Sequence, residues 1–221
     1  SATEDDNYTY LVTAEDVDVG DALIFAVITK PDWLSFDGTA TISGTPLNDD
    51  VGDHAVILTV NDGTGPVTQS FTITVINTND APVFTSTATT SATEDAPYTY
   101  TAAASDVDIG DALTFAVNTK PDWLSFDGAA TISGTPTNDD VVGDNAVILT
   151  ISDENGETVI QSFTIIVENK NDAPVFTSAA VTSATEDDNY TYLVTAEDVD
   201  VGDALIFAVI TKPDWLSFDG T

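Results

Sequence analysis

Three copies of one acidic run hold the residues most able to do chemistry: Asp16-Val-Asp18-Val-Gly-Asp21, Asp106-Val-Asp108-Ile-Gly-Asp111 and Asp198-Val-Asp200-Val-Gly-Asp203. Residues two apart in an extended segment face the same way, so both carboxylates of an Asp-x-Asp pair can reach one ion. Other oxygen donors recur at fixed distances from these runs: Glu4 and Glu94, the pairs Asp49/Asp50 and Asp139/Asp140, and Asn79-Asp80 and Asn171-Asp172. There is no Cys and a single His, His54. Hard oxygen ligands without sulfur or imidazole select Ca²⁺ over Zn²⁺ or Cu²⁺. The run is not an EF-hand, because loop position six would be Asp111 instead of Gly and position twelve Val117 instead of Glu.

The charge excludes several partners. There are 38 acidic residues against four Lys, for a formal net charge of −34. Nucleic acid and anionic membrane surfaces repel such a chain. No apolar run approaches the ~20 residues of a membrane span, so no membrane insertion is expected. A signal-like segment is missing at Ser1, so any export signal is expected to lie outside this sequence. No set of catalytic side chains can be assembled, and the chain does not read as an enzyme. His54 reads as a surface loop residue, since the equivalent position of the next copy is Asn145.

The acidic runs belong to a longer repeat that must position them. Ser1–Tyr10 returns as a near copy at Ser91–Tyr100 and unaltered at Ser183–Tyr192, and residues 183–221 are identical to residues 1–39. A period of about 90 residues is a whole domain, too long for a solenoid repeat. The expected division is 1–80 (a domain lacking its first strand), 81–172 (a complete domain) and 173–221 (the N-terminal half of a third). Short β-branched and aromatic runs alternate with Asp/Asn/Gly/Pro clusters, which is an all-β pattern. In the middle domain it predicts seven strands near 83–87, 98–103, 113–118, 123–126, 130–133, 146–152 and 158–167. The expected fold is a tandem of seven-stranded Greek-key, immunoglobulin-like sandwiches. The recurring Pro-Asp-Trp-Leu-Ser-Phe segment, with Trp33, Trp123 and Trp215, reads as core in preference to a sugar-stacking platform.

Strands in such a sandwich alternate in direction, so its turns alternate between two poles. Glu94, Asp139, Asp140, Asn171 and Asp172 fall at one pole, and Asp106, Asp108 and Asp153 at the other. Each domain junction is then expected to bring opposite poles together. The first junction collects Glu4, Asp49, Asp50, Asn79 and Asp80 with Asp106, Asp108 and Asp153. The second collects Glu94, Asp139, Asp140, Asn171 and Asp172 with Asp198 and Asp200. Two carboxylates ~5 Å apart repel by roughly 3 kcal/mol at an effective dielectric of ~20. Such a cluster calls for a cation.

These residues carry a resemblance. Asn-Asp-Ala-Pro-Val-Phe resembles the linker of cadherin repeats, and Asp-x-Asp-x-Gly-Asp-Ala-Leu resembles their metal motif. Glu94 matches the family's first-strand glutamate, and Asp139/Asp140 lie where its acidic pair lies, although cadherins have Asp-x-Glu where this chain has Asn-Asp-Asp. The stretch from Pro121 to Pro136 is more similar to dystroglycan-type cadherin-like repeats (CADG, close to a "putative Ig" family) of large bacterial surface proteins. The resemblance implies an extracellular, Ca²⁺-braced array whose partners are calcium ions and its own neighbouring repeats. The first functional expectation is a set of extender repeats of a bacterial adhesin. The alternative is a carbohydrate-binding module with polysaccharide as partner.

Overall fold

The computed structural model describes residues 1–18 and 20–220. The described residues are almost entirely strand, turn and loop, with only two three-residue 3-10 turns at Asn48–Asp50 and Asn138–Asp140. The fold is all-β, built as tandem immunoglobulin/cadherin-like sandwiches. Two compact units are present. One holds residues 1–83 with 104–114 and 151–159, and the other holds 84–103, 115–150 and 160–221. The first unit thus includes two turns of the second repeat, those carrying Asp106–Asp111 and Asp153.

In the first unit, one sheet runs Tyr8–Leu11, Thr41–Gly44, Ser35–Phe36, all antiparallel. The other places Ala2–Thr3 parallel to Pro66–Ile76, followed by Gly52–Asn61 and Ile24–Thr29. Burial alternates along these strands, as it must when one face meets a core and the other meets solvent. The inward set Leu34, Ile42, Val56, Leu58, Ile73 and Val75 fills the space between the sheets, each at 3% exposure or less. The second unit repeats this core with Leu124, Ile132, Val147, Leu149, Ile165 and Val167. Tyr98 and Tyr100 are also buried there.

Gly44 and Gly134 show how tightly the strands meet. A Cβ on either would lie 2.0 Å from the carbonyl oxygen of Trp33 or Trp123. Only glycine lets the two backbones approach so closely.

Two predicted strands are subdivided. The expected strand at 83–87 covers only Val83–Phe84; the chain then crosses to Ser91–Thr93, which pairs in parallel with Ile166–Glu168. That short parallel strand ends immediately before Glu94 and so aims it. The expected strand at 158–167 is interrupted at Ile165, which is 1% exposed and donates its N–H to the Asn145 carbonyl. In residues 173–221 the described strands are limited to Val175–Phe176 and its antiparallel partner Ala196–Glu197.

Candidate metal centre

The Asp-x-Asp runs are folded by their own side chains. Asp16 Oδ1 accepts the Asp18 N–H (2.9 Å), Asp106 Oδ1 the Asp108 N–H (3.0 Å) and Asp198 Oδ1 the Asp200 N–H (3.0 Å). An Asp that accepts the N–H two residues on closes a tight turn without help from the rest of the fold. The second carboxylate of each run is then free to point outward.

Within the first unit, Asp108 meets the base of the first repeat. Its Oδ2 accepts the Asp80 N–H at 2.8 Å and its Oδ1 accepts Asn48 Nδ2 at 3.3 Å. Asn48 Nδ2 also donates to Asp80 Oδ2 at 3.1 Å. Asn79 Nδ2 donates to Asp153 Oδ2 at 2.9 Å, and Asp153 Oδ1 accepts the N–H groups of Gly156 and Glu157. Glu4, 2% exposed, accepts the Thr78 N–H at 3.2 Å. Carboxylate oxygens of Glu4, Asp5 and Asp80 lie within 4.8 Å of one another, as do those of Asp106, Asp111 and Asp153.

The titration behaviour of this cluster divides by hydrogen bonding. Burial pushes Glu4 up, and the charges of Asp5, Asp80 and Asp108 add to the rise. Desolvation followed by repulsion from Asp108, Asp106 and Asp153 raises Asp111. Asp108 is held below the usual carboxylate range, chiefly by the Asp80 N–H. Asp153 is lowered first by the Asn79 amide. Some carboxylates are therefore anchored as anions by donors while their neighbours resist ionising, which is the signature of a site short of positive charge.

The second unit holds a related cluster. Glu94 is 1% exposed and accepts the Lys170 N–H at 3.1 Å. Asp200 is 5% exposed; it accepts the Asp172 N–H at 2.6 Å and Asn138 Nδ2 at 3.1 Å. Carboxylates of Glu94, Asp95 and Asp172 group together, as do those of Asp198, Asp200 and Asp203.

The structure thus gathers Glu4, Asn79, Asp80, Asp106, Asp108 and Asp153 in one unit, and Glu94, Asp172, Asp198 and Asp200 in the other. It places the rest elsewhere. Asp49 and Asp139 are exposed. Asp50 and Asp140 turn back to accept the N–H groups of Leu47 and Thr137, capping their own 3-10 turns. Asn171 is exposed and donates to the Asp172 carbonyl. The side chains that reach the clusters from these turns are Asn48 and Asn138, which sequence reasoning passed over. A signal was available in the second copy, where Thr137-Asn-Asp-Asp140 has the form of a capping box that commits the last acid to local work; Leu47, with no side-chain oxygen, offers none in the first. Asp5, Asp95 and Asp203 also join the clusters, Asp5 and Asp95 from left-handed backbone at φ 60° and 57°.

These donors fit Ca²⁺. They are all oxygens, in the number a hard cation with six to eight ligands takes. Asp106 Oδ2 is buried and finds no hydrogen-bond donor among the described residues. A buried carboxylate oxygen left without a donor is costly unless a cation serves it. The Trp residues are engaged differently. Trp123 is partly buried, meets Tyr98 edge-on at 5.6 Å and donates Nε1 to Asn145 Oδ1 at 2.8 Å.

A family model, He_PIG, described as Putative Ig domain, matches residues 1–76 and 81–168. Among solved structures, human CDH23 repeats EC21-23 are 20% identical over 91% of this chain and 82% of that one, with a TM-score of 0.59. Protocadherin Gamma B2 extracellular cadherin domains 3-6 are 18% identical over 97% of this chain and 58% of that one, also at 0.59. Both show a shared fold. An endo-fucoidan hydrolase from glycoside hydrolase family 107 is 29% identical over 76% of this chain; this chain spans 27% of its length, and at a TM-score of 0.34 the match bears on neither fold nor chemistry. No curated protein matches the sequence. No helix among the described residues is long and apolar enough to cross a membrane.

Proposed function

This chain belongs to the Putative Ig domain family, and on that premise we propose that it is a run of extender repeats whose joints are braced by calcium, divided as 1–80, 81–172 and 173–221. The repeats hold distal binding domains of a large extracellular adhesin away from a bacterial surface. The observation that carries the reading is the hydrogen-bonded closure of Asp108 on Asp80 and Asn48, beside the grouped acids Glu4, Asp80, Asp106, Asp111 and Asp153. Residues from two repeats interlock there, yet the cluster holds no Lys.

Glu4, Asp5 and Asp80 would hold a cation from the base of one repeat, and Asp106, Asp111 and Asp153 from the turns of the next. Calcium, when bound, supplies the positive charge that offsets mutual repulsion among these anions. The chain's own part is orientation. The Thr78, Asp80, Gly156 and Glu157 N–H groups and the Asn48 and Asn79 amides fix the carboxylates before any ion arrives. Preorganised ligands cost less entropy to order on binding.

The second sites, Glu94, Asp95 and Asp172 with Asp198, Asp200 and Asp203, would act at the next joint, where Lys170 Nζ already lies 3.7 Å from Asp95 Oδ2. Partners of the array are calcium ions and its own neighbouring repeats. Sugar binding by the Trp segment is not adopted, because Trp123 is packed on Tyr98 and its indole N–H is spent on Asn145.

The test compares the chain in chelator and in millimolar Ca²⁺ by thermal melting and small-angle scattering. Calcium is expected to raise the melting temperature and narrow the distribution of lengths. Identical curves in both conditions would sink the brace.

A further inference from the structure

Asn155-Gly156 is the sole Asn-Gly pair in the sequence. It lies in the turn between Ala146–Ser152 and Thr158–Thr164, and both residues are exposed. Asparagine followed by glycine is chemically labile. With no Cβ on the second residue, its backbone nitrogen can reach the side-chain carbonyl carbon of the first. Gly156 has a φ of 99°, a conformation that favours glycine, so the turn itself demands the neighbour that makes Asn155 reactive.

The same side chain is tied into the first acidic cluster. Asn155 Nδ2 donates to Asn79 Oδ1 and, at 3.4 Å, to Asp111 Oδ2. Asn79 spends its own amide on Asp153 Oδ2 (2.9 Å) and on the Asp80 carbonyl (3.0 Å). Gly156 gives its N–H to Asp153 Oδ1 at 2.6 Å, beside that of Glu157. These bonds hold the reacting nitrogen until the turn opens, and exposed turns lie at the low-stability end of local opening.

We propose that Asn155 is a site of spontaneous deamidation, through which the first joint acquires one further negative charge. The Gly156 nitrogen forms a bond to Asn155 Cγ, the Cγ–Nδ2 bond breaks, and ammonia leaves with the proton that the Gly156 nitrogen gave up. Water then opens the cyclic imide. Opening at Cγ leaves an ordinary aspartate; opening at the backbone carbonyl leaves an isoaspartate, whose main chain is one methylene longer. The ordinary product turns a donor facing Asn79 Oδ1 and Asp111 Oδ2 into an acceptor. Asn79 cannot turn its amide to meet it without releasing Asp153 and Asp80. The iso product lengthens the turn whose Gly156 and Glu157 N–H groups hold Asp153. Either way a new anion joins the group Asp106, Asp111 and Asp153 and adds to its repulsion. Resting on the reading of this cluster as a joint between repeats, the consequence is a joint that depends more heavily on a cation once modified.

The test holds the folded full chain in chelator at neutral pH and follows each Asn by peptide mass spectrometry, with isoaspartyl methyltransferase labelling for the iso product. The expected result is conversion at Asn155 ahead of every other Asn, and its loss in N155Q, whose longer amide closes the ring far less readily. In parallel, N155D installs the ordinary product and is expected to melt below the parent in chelator. A parent that keeps its Asn155 amide, conversion led by another Asn, or an N155D chain that melts with the parent overturns the proposal. All these readouts are taken in chelator, so they stand apart from the Ca²⁺ comparison that judges the brace.

Discussion

Residues 1–39 and 183–221 are the same sequence with different fates. In the first copy, Tyr8–Leu11, Ile24–Thr29 and Ser35–Phe36 are strands, and Leu34 is 1% exposed. In the second copy, Ala196–Glu197 is the described strand, Leu216 is half-buried and Trp215 is 66% exposed. The acidic turn reverses this order. Asp18 is exposed, whereas its twin Asp200 is 5% exposed, held by Asp172 and Asn138. Among the described residues the first copy pairs with the Thr41–Gly44 and Gly52–Asn61 strands, while the acidic turn of the second copy meets Asp172 and Asn138. The comparison separates what builds the sandwich from what builds the metal centre.

Some features survive in both copies because they need only groups inside the shared segment. The Tyr8–Trp33 and Tyr190–Trp215 edge contacts are 5.9 and 5.8 Å, and the Asp-x-Asp turn closes identically. Neither needs a distant strand.

The largest expected effect comes from making the first copy resemble the second. Gly44→Ala pushes a Cβ into the Trp33 carbonyl, and should destabilise the first repeat by about 3 kcal/mol or more. Differential scanning calorimetry would show one transition falling while the other stays. Next, Asp200→Asn should weaken calcium binding at the second cluster about 100-fold, while Asp18→Asn leaves it unchanged. Titration calorimetry of both proteins checks this, and equal losses would end the distinction between the twins.

Asp153→Asn removes an anchored carboxylate and the acceptor of the Asn79 amide, and should cost the first cluster about 10-fold in affinity. A smaller gain is expected from His54→Asn. Trp33 Nε1 is buried without a partner among the described residues, whereas Trp123 Nε1 has Asn145. Asn145 also donates to the Asp140 carbonyl, a role His54 Nε2 fills at Asp50. The substitution should stabilise the first repeat by about 1 kcal/mol in urea unfolding.

The smallest effect is with pH, in chelator. Glu4 and Asp111 are raised above their ordinary values of 4.5 and 3.8, so their share of stability is complete below those values and is lost as pH rises through the folded ones. Asp108 and Asp153 are lowered, so theirs is lost only as pH falls below 3.8. The melting temperature should rise modestly as pH falls from 7 toward about 4, then drop on further acidification. A steady fall from pH 7 downward would contradict the assigned strain.

Much of the fold was legible because its signals are local. Alternation of β-branched and polar residues announced strands such as Ala146–Ser152, and the near-identical copies announced the tandem. The break at Ile165 was not legible, because it depends on a bond to the Asn145 carbonyl twenty residues away. At the candidate site, the residue types pointed to a hard cation, and Asp-x-Asp placed its own turn. The assignment within Asn48-Asp49-Asp50 escaped, since adjacent oxygen donors look alike until the 3-10 turn sends Asp50 to its cap and Asn48 to Asp80.

By itself the sequence determined the repeat, the anionic character and the turns that Asp, Gly and Pro close on their own. Burial was decided by tertiary structure. The same sequence forms sandwich strands in one place and, in another, a two-residue ladder beside a buried acid. The physical reason is that strand ladders and desolvated carboxylates need groups remote in the chain, whereas an Asp side chain bonding the N–H two residues on needs only itself.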